Sequence, residues 1–214
     1  MLKKPIKTIV WDWNGTLLND VDLSIHSMNE LLGERNLPLL SKQYYKQIFR
    51  FPVKDYYSDI GFDFDNEPFE LVGTAFMDAY KLHIPNMSLF DDSLETVQQL
   101  HQKGYSQHVL SAMEQHLLFE MTQKSDLHRY MTSINGIDNH LGGGKIDLGK
   151  TFVQKLNHAP DECLLVGDTT HDAEVAATCG FQCILYSGGH YSHERLQKTG
   201  LPIIQKLSEL VNLL

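Results

Sequence analysis

The run Thr8-Ile9-Val10-Trp11 is apolar and β-branched, and it ends on the carboxylate of Asp12. Trp13-Asn14-Gly15-Thr16 follows at once. Such a run fits a strand buried on both faces of a parallel sheet. Open α/β sheets bind ligands beyond the carboxyl ends of their strands, so a reactive group there is well placed. Alone, Asp-x-Asn-Gly-Thr is equally an ordinary strand-to-turn exit, because Asn-Gly is a common turn dipeptide. The rest of the chain decides between the two.

The next segment reads as helical. Val21, Ile25, Met28 and Leu32 recur on one helix face, and Leu37-Pro38 ends the pattern. Further helices are predicted over 42–49, 53–60 and 68–83, the last with Phe69, Val72, Phe76 and Ala79 as its stripe. Nothing in 19–87 alternates like a strand. Beyond Pro85 the character changes. Asp92-Ser93-Leu94-Glu95 has capping-box spacing and starts a helix that Gly104 stops. Strands are predicted over 105–111, 130–134, 163–167 and 182–186, with helices over 114–124, 148–156, 172–179 and 203–214. Gly142-Gly143-Gly144 reads as a flexible turn. Alternating strands and helices imply right-handed crossovers and an α/β, doubly wound parallel sheet. The expected division is a discontinuous α/β core, 1–18 and 88–214, interrupted by an all-helical insert, 19–87.

Composition narrows the functional class. With 214 residues, 42% hydrophobic and 21% charged, the chain is an ordinary globular one. A net charge of −9 and the lack of a basic stripe argue against a nucleic-acid or anionic-membrane partner. No long apolar span or signal peptide is apparent, and a cytoplasmic location is expected. Cys163, Cys179 and Cys183 form no Cys-x-x-Cys pair and read as buried hydrophobes in a reducing compartment. No cysteine–histidine spacing suggests zinc.

Three predicted strands end in polar groups: Asp12; Ser111 after Val109-Leu110; and Asp168 after Val166-Gly167, with Asp172 four residues on. In a parallel sheet these ends lie along one rim. Asp12 and Asp168 offer hard oxygen ligands for Mg2+, which needs only one or two carboxylates plus water and substrate oxygen. Asp172 can bind through water or orient the ligands. Ser111 offers a hydroxyl, the helix after it N–H groups for a phosphate, and Lys145 a neutralising charge.

These pieces, Asp12-x-Asn14-Gly15-Thr16, Val109-Leu110-Ser111, Lys145 and Gly167-Asp168-x-x-x-Asp172, stand in the order and near the spacing of the haloacid dehalogenase (HAD)-like hydrolase superfamily. The chain resembles its helical-capped phosphatase subgroup, phosphoglycolate-phosphatase-like members above all, over essentially its whole length. The resemblance implies a Rossmann-like core, phosphoryl transfer through an aspartyl-phosphate, and a small-molecule phosphoester partner. Asp12 would be nucleophile and metal ligand, with the Asn14 carbonyl as another ligand. Ser111 and Lys145 would hold the phosphoryl group, and Asp168 and Asp172 the metal. Trp13 and Ala112 join Ser111 and Lys145 as substrate-binding candidates. Lys150 competes with Lys145, which fits the family spacing to Asp168 better.

One residue departs from the pattern. Most phosphatases of the family carry a second aspartate, the proton shuttle, where this chain has Asn14. An amide hydrogen-bonds but trades no proton at neutral pH. Loss of a general acid–base costs a factor of roughly 10²–10⁴. The residue is compatible with a slow phosphatase, or with one that favours good leaving groups or borrows His171. It also fits a binding relative with little turnover, or an engineered trap for the covalent intermediate. The dehalogenase, phosphonatase and sugar-phosphomutase branches fit less well.

In capped members the insert closes over the site and selects the leaving group. Phe49-Arg50-Phe51-Pro52-Val53-Lys54 lies between two insert helices, and Arg50 could fork onto a substrate carboxylate or phosphate. A small phosphorylated acid or sugar phosphate is the expected substrate. Monomer and homodimer remain equally open.

Overall fold

The computed structural model describes residues 4–137 and 144–214. The strands are β1 Thr8–Trp11, β2 Leu18–Asn19, β3 Ser88–Leu89, β4 Ser106–Glu114, β5 Ser133–Ile137, β6 Cys163–Gly167, β7 Gln182–Tyr186 and β8 Ile203–Ile204. Six of them form one sheet in the order β5-β4-β1-β6-β7-β8, paired in parallel throughout. The chain leaves β1 toward β4 and β5, then crosses back to β6 on the other side, so β1 lies at the reversal of strand order. Ligands of such sheets bind at that point.

Successive side chains of β1 serve opposite faces. Ile9 and Trp11 join the apolar cluster built with Val97, Leu100 and Leu118, while Val10 joins Leu110, Leu165 and Val175 on the other face. Both faces are covered by helices α5 Ser93–Gln102, α6 Gln115–Lys124, α7 Lys145–Val153, α8 Thr170–Cys179, α9 His193–Gln197 and α10 Glu209–Leu213. The three cysteines are buried and unpaired. Among the described residues no helix is long and apolar enough to cross a membrane.

Between the antiparallel pair β2–β3 lie four helices, α1 Val21–Glu34, α2 Lys42–Ile48, α3 Val53–Asp59 and α4 Phe69–His83. The α1 stripe Val21, Ile25, Met28 and Leu32 is buried against Tyr57, Ile60 and Val72, as its spacing predicts. On α4, Val72 is buried, whereas Phe69 and Phe76 are only half-buried, because they also line a cavity.

Three local expectations fail for identifiable reasons. Residues 203–214 are not one helix: Ile203–Ile204 pairs with β7 as an edge strand, and only Glu209–Leu213 is helical. Asp92 does not cap α5 with its side chain; its Oδ2 accepts the Ser208 N–H at 2.9 Å and ties the C-terminal segment to the core. The strand containing Ser111 continues to Glu114 through a register shift after Leu110, so Ser111 lies within β4. The turn expected at Gly142-Gly143 lies outside the described residues.

Candidate active site

The loop after β1 is shaped by hydrogen bonds to the Trp13 carbonyl, which accepts from Leu17 at 3.0 Å and Leu18 at 2.9 Å. Gly15 has φ +73°, and a Cβ there would overlap the Asp168 carboxylate and the His190 ring. Glycine is therefore required both by conformation and by the close approach of the β6 rim.

Asp12, Asp168 and Asp172 are all buried, and an oxygen from each lies within 4.8 Å of the others. Lys145, the first residue of α7, reaches in from the neighbouring crossover. Its Nζ donates to Asp12 Oδ1 and, at 2.5 Å, to Asp172 Oδ1. Asp12 Oδ2 accepts from Thr16 Oγ1 at 3.0 Å. Asp172 Oδ2 accepts from Thr169 N at 3.0 Å and Thr169 Oγ1 at 2.7 Å, closing the capping box at the start of α8. One Asp172 oxygen thus fixes the β6–α8 turn while the other orients Lys145.

The charge balance is uneven. Burial raises the Asp12 pKa to about 6, against the lowering influence of Lys145. Asp168 is pushed well above the usual carboxylate range by burial and by the neighbouring Asp12 and Asp172 charges, which outweigh His190. Asp172 moves down despite burial, because Lys145 faces it. Lys145 is raised: burial opposes its charge, and Asp12 and Asp172 more than compensate. With all three carboxylates ionised, as a bound cation would favour, one ammonium leaves an excess of two negative charges. A hard divalent cation matches both that excess and the all-oxygen donor set, so these residues fit Mg2+.

Asn14 faces a second buried network. Its Nδ2 donates to Asp20 Oδ2 at 2.7 Å and to the Tyr80 hydroxyl at 2.9 Å, and that hydroxyl donates to Asp20 at 2.8 Å. Asp20 Oδ1 also accepts the Gly15 N–H at 2.8 Å and pairs with His190 Nε2 at 3.2 Å. His190 Nδ1 meets the Tyr45 hydroxyl at 2.8 Å, joining helix α2 to the loop after β7. Burial lowers the His190 pKa, but Asp20 outweighs it and lifts the group to about 9, and Asp20 is held low in return. The His190 N–H donates to Asp168 Oδ2 at 2.5 Å. Asp20, His190, Tyr45 and Tyr80 were not singled out from sequence. The loop Ser187-Gly188-Gly189-His190 carried a signal, being one more polar exit on the rim where Asp12 and Asp168 lie.

A cavity of about 190 Å³ opens above these groups, lined on the core side by Asp12, Asn14, Ser111, Ala112, Lys145, Asp168 and Asp172. The structure thus brings seven of the nine sequence-predicted residues to one cavity. The other two stand apart. Trp13 is fully buried in the core. Arg50 does not line the cavity; it is bound to Asp59 at 2.8 Å and Asp55 at 3.8 Å. Phe49 and Phe51 on either side face the cavity, so Arg50 between them points elsewhere.

Other details also revise the sequence reading. Ser111 Oγ accepts the Met113 N–H at 3.0 Å. The first N–H groups of α6 are taken by the Glu114 carboxylate, at 2.8 Å from His116 and 3.0 Å from Leu117, so that helix end is not open to an anion. Lys150 is exposed and paired with Asp147 at 2.9 Å. His171 does line the cavity, where it stacks on Phe51, with ring centroids 4.7 Å apart, and meets Glu174 at 3.2 Å.

An inserted helical unit beside a parallel sheet, with buried acids and a lysine on its carboxyl rim, is a capped, Rossmann-like α/β architecture. The model of the haloacid dehalogenase-like hydrolases matches residues 9–186, and the chain belongs to that family. It is 25% identical over 170 residues to the pyrophosphatase PpaX of Anoxybacillus flavithermus, covering 78% of this chain and 77% of that protein. Among solved structures, a haloacid dehalogenase-like family protein of Streptococcus pneumoniae superposes with a TM-score of 0.83 at 19% identity, covering 97% and 98% of the two chains. A predicted phosphoglycolate phosphatase of Haemophilus somnus does so with 0.78 at 17% identity, covering 99% of both.

Proposed function

We propose that this protein hydrolyses a small phosphate monoester, with Asp12 as nucleophile and Mg2+ as cofactor. The observation that carries the reading is the placement of Lys145 Nζ on Asp12 Oδ1 and Asp172 Oδ1, beside Asp168. Family membership supports it, as do relatives named for pyrophosphatase and phosphoglycolate phosphatase activity. A small-molecule substrate, an intracellular site of action and a cap formed by residues 19–87 over a core of 1–18 and 88–214 belong to the same reading.

Asp12, Asp168 and Asp172 would hold the cation, which supplies charge neutralisation for the phosphate oxygens. Asp12 Oδ attacks phosphorus and the P–O bond to the leaving alcohol breaks, giving an aspartyl-phosphate. Water then attacks phosphorus, restoring the Asp12 carboxylate and releasing phosphate. Lys145 orients Asp12 and offsets the phosphoryl charge, while Thr16 holds the other Asp12 oxygen. Asn14, whose amide donates to Asp20 and Tyr80, positions the loop but delivers no proton.

The test is turnover of a panel of phosphate monoesters with and without Mg2+, in the parent and Asp12→Asn. The reading predicts metal-dependent release of phosphate that Asp12→Asn abolishes. Phosphate binding without turnover in the parent would instead favour a binding relative, the alternative that Asn14 leaves standing.

A further inference from the structure

The wall of the cavity opposite the acids has a different chemistry. Phe49, Phe51, Tyr56, Phe69, Phe76 and Met77, all from the inserted helices and their connections, line it. Four of these rings are half-buried where a packed core would bury them fully. Phe49 meets Phe51 and Tyr56 nearly edge to face, at centroid distances of 5.4 and 5.2 Å. Such an array offers ring faces and edges to another ring.

Charge complementarity points the same way. Among the described lining residues Lys145 is the only lysine or arginine, and it is held by two carboxylates. The charge on His190 is matched by Asp20. Arg50 is turned away and paired. Among the described residues of the insert wall, a leaving group carrying a carboxylate or second phosphate would meet hydrocarbon and find no lysine or arginine.

We propose that the substrate is an aryl phosphomonoester, its uncharged aromatic ring seated against Phe49, Tyr56 and Phe76. This rests on the phosphatase reading above and names its substrate class. The volume admits a ring: apolar cavities of roughly 150 Å³ hold benzene, and this one, of about 190 Å³, is open to solvent on one side. Asn14 supplies an independent argument. A phenol-like alcohol has a pKa of about 10, so its oxide departs without a proton from the enzyme, whereas an alkoxide does not. Asp12 Oδ attacks phosphorus, the aryl P–O bond breaks with its electron pair on the aryl oxide, and that oxide takes its proton from water. A second water cleaves the aspartyl-phosphate. The residue that removes the proton shuttle and the wall that selects a ring thus describe one substrate.

Two measurements decide it. The first is the affinity of the whole protein, with Mg2+, for benzylphosphonate and for phosphonopropionate, unreactive counterparts of phenyl phosphate and phosphoglycolate. Benzylphosphonate is expected to bind at least roughly tenfold tighter, and Phe76→Ala to erase most of that ratio without weakening phosphonopropionate. Equal or tighter binding of phosphonopropionate would overturn the proposal, as would a ratio untouched by Phe76→Ala and by Phe49→Ala. The second is kcat/KM for phenyl phosphate against phosphoglycolate, with phenyl phosphate expected to be favoured by about 10² or more. A preference for phosphoglycolate would also overturn it. Absence of turnover on both would strike the phosphatase reading alone, since the binding ratio still judges the substrate class.

Discussion

The two walls of the cavity differ in nearly every respect. The core wall is built from strand ends whose side chains are fixed by several partners each: Asp12 by Lys145 and Thr16, Asp172 by Lys145 and Thr169, Asp168 by the His190 N–H. The insert wall is built from helices and carries half-buried aromatic rings with no charge of their own. In the proposed function the first wall carries the chemistry and tolerates little change in position. The second would select what the phosphoryl group is attached to, through contacts that can be altered one ring at a time. The Tyr45–His190–Asp20 chain is the polar seam between them.

The comparison can be broken most forcefully at Lys145. Lys145→Met leaves Asp12 and Asp172 buried without their counter-charge, and unpairing a buried charge costs about 3–5 kcal/mol. Chemical denaturation should show a loss of that order in metal-free protein, partly recovered with Mg2+. An unchanged midpoint would show that the acids do not depend on Lys145.

Asn14→Asp comes next. It puts a carboxylate against Asp20, where one of the two must keep a proton. If the insert wall selects aryl esters because the core wall lacks an acid, this variant should raise kcat/KM, which reports the phosphorylation step, by roughly 10² for alkyl phosphates and leave it nearly unchanged for phenyl phosphate. Equal gains on both substrates would uncouple the two walls.

The smallest effect is expected at Arg50. Because it is exposed and held by Asp59 and Asp55, Arg50→Ala should change kcat/KM by less than about twofold, in line with the modest weight of surface ion pairs. A large rise in KM would return it to the substrate.

These differences also explain what was legible in the sequence. Asp12 and Asp168 could be read because each ends an apolar strand, and strand periodicity and rim chemistry are local signals. Lys145 is distinguished from Lys150 by the spacing to Asp168 that the family resemblance implies. The Asp20–His190 pair could not be read, since its members are brought together only when the loop after β7 folds over the junction of β2 and α1. The aromatic wall is legible only in part. Phe69 and Phe76 fall on the helical stripe and do pack against the core of the insert, but periodicity does not reveal that they also line a cavity. Arg50 was drawn in by its charge, while its phenylalanine neighbours carried the signal. The closing segment reads as a helix because Ile203–Ile204, a two-residue edge strand, is too short to show alternation.

The central claim is that the core wall transfers a phosphoryl group to Asp12. Its most direct test is rapid acid quench of the parent protein mixed with phenyl phosphate and Mg2+, followed by peptide mass analysis. The account predicts a peptide containing Asp12 heavier by one phosphoryl group, formed within the first turnover and absent in Asp12→Asn. Phosphate release at full rate with no such peptide, or with the modification on another residue, would contradict it.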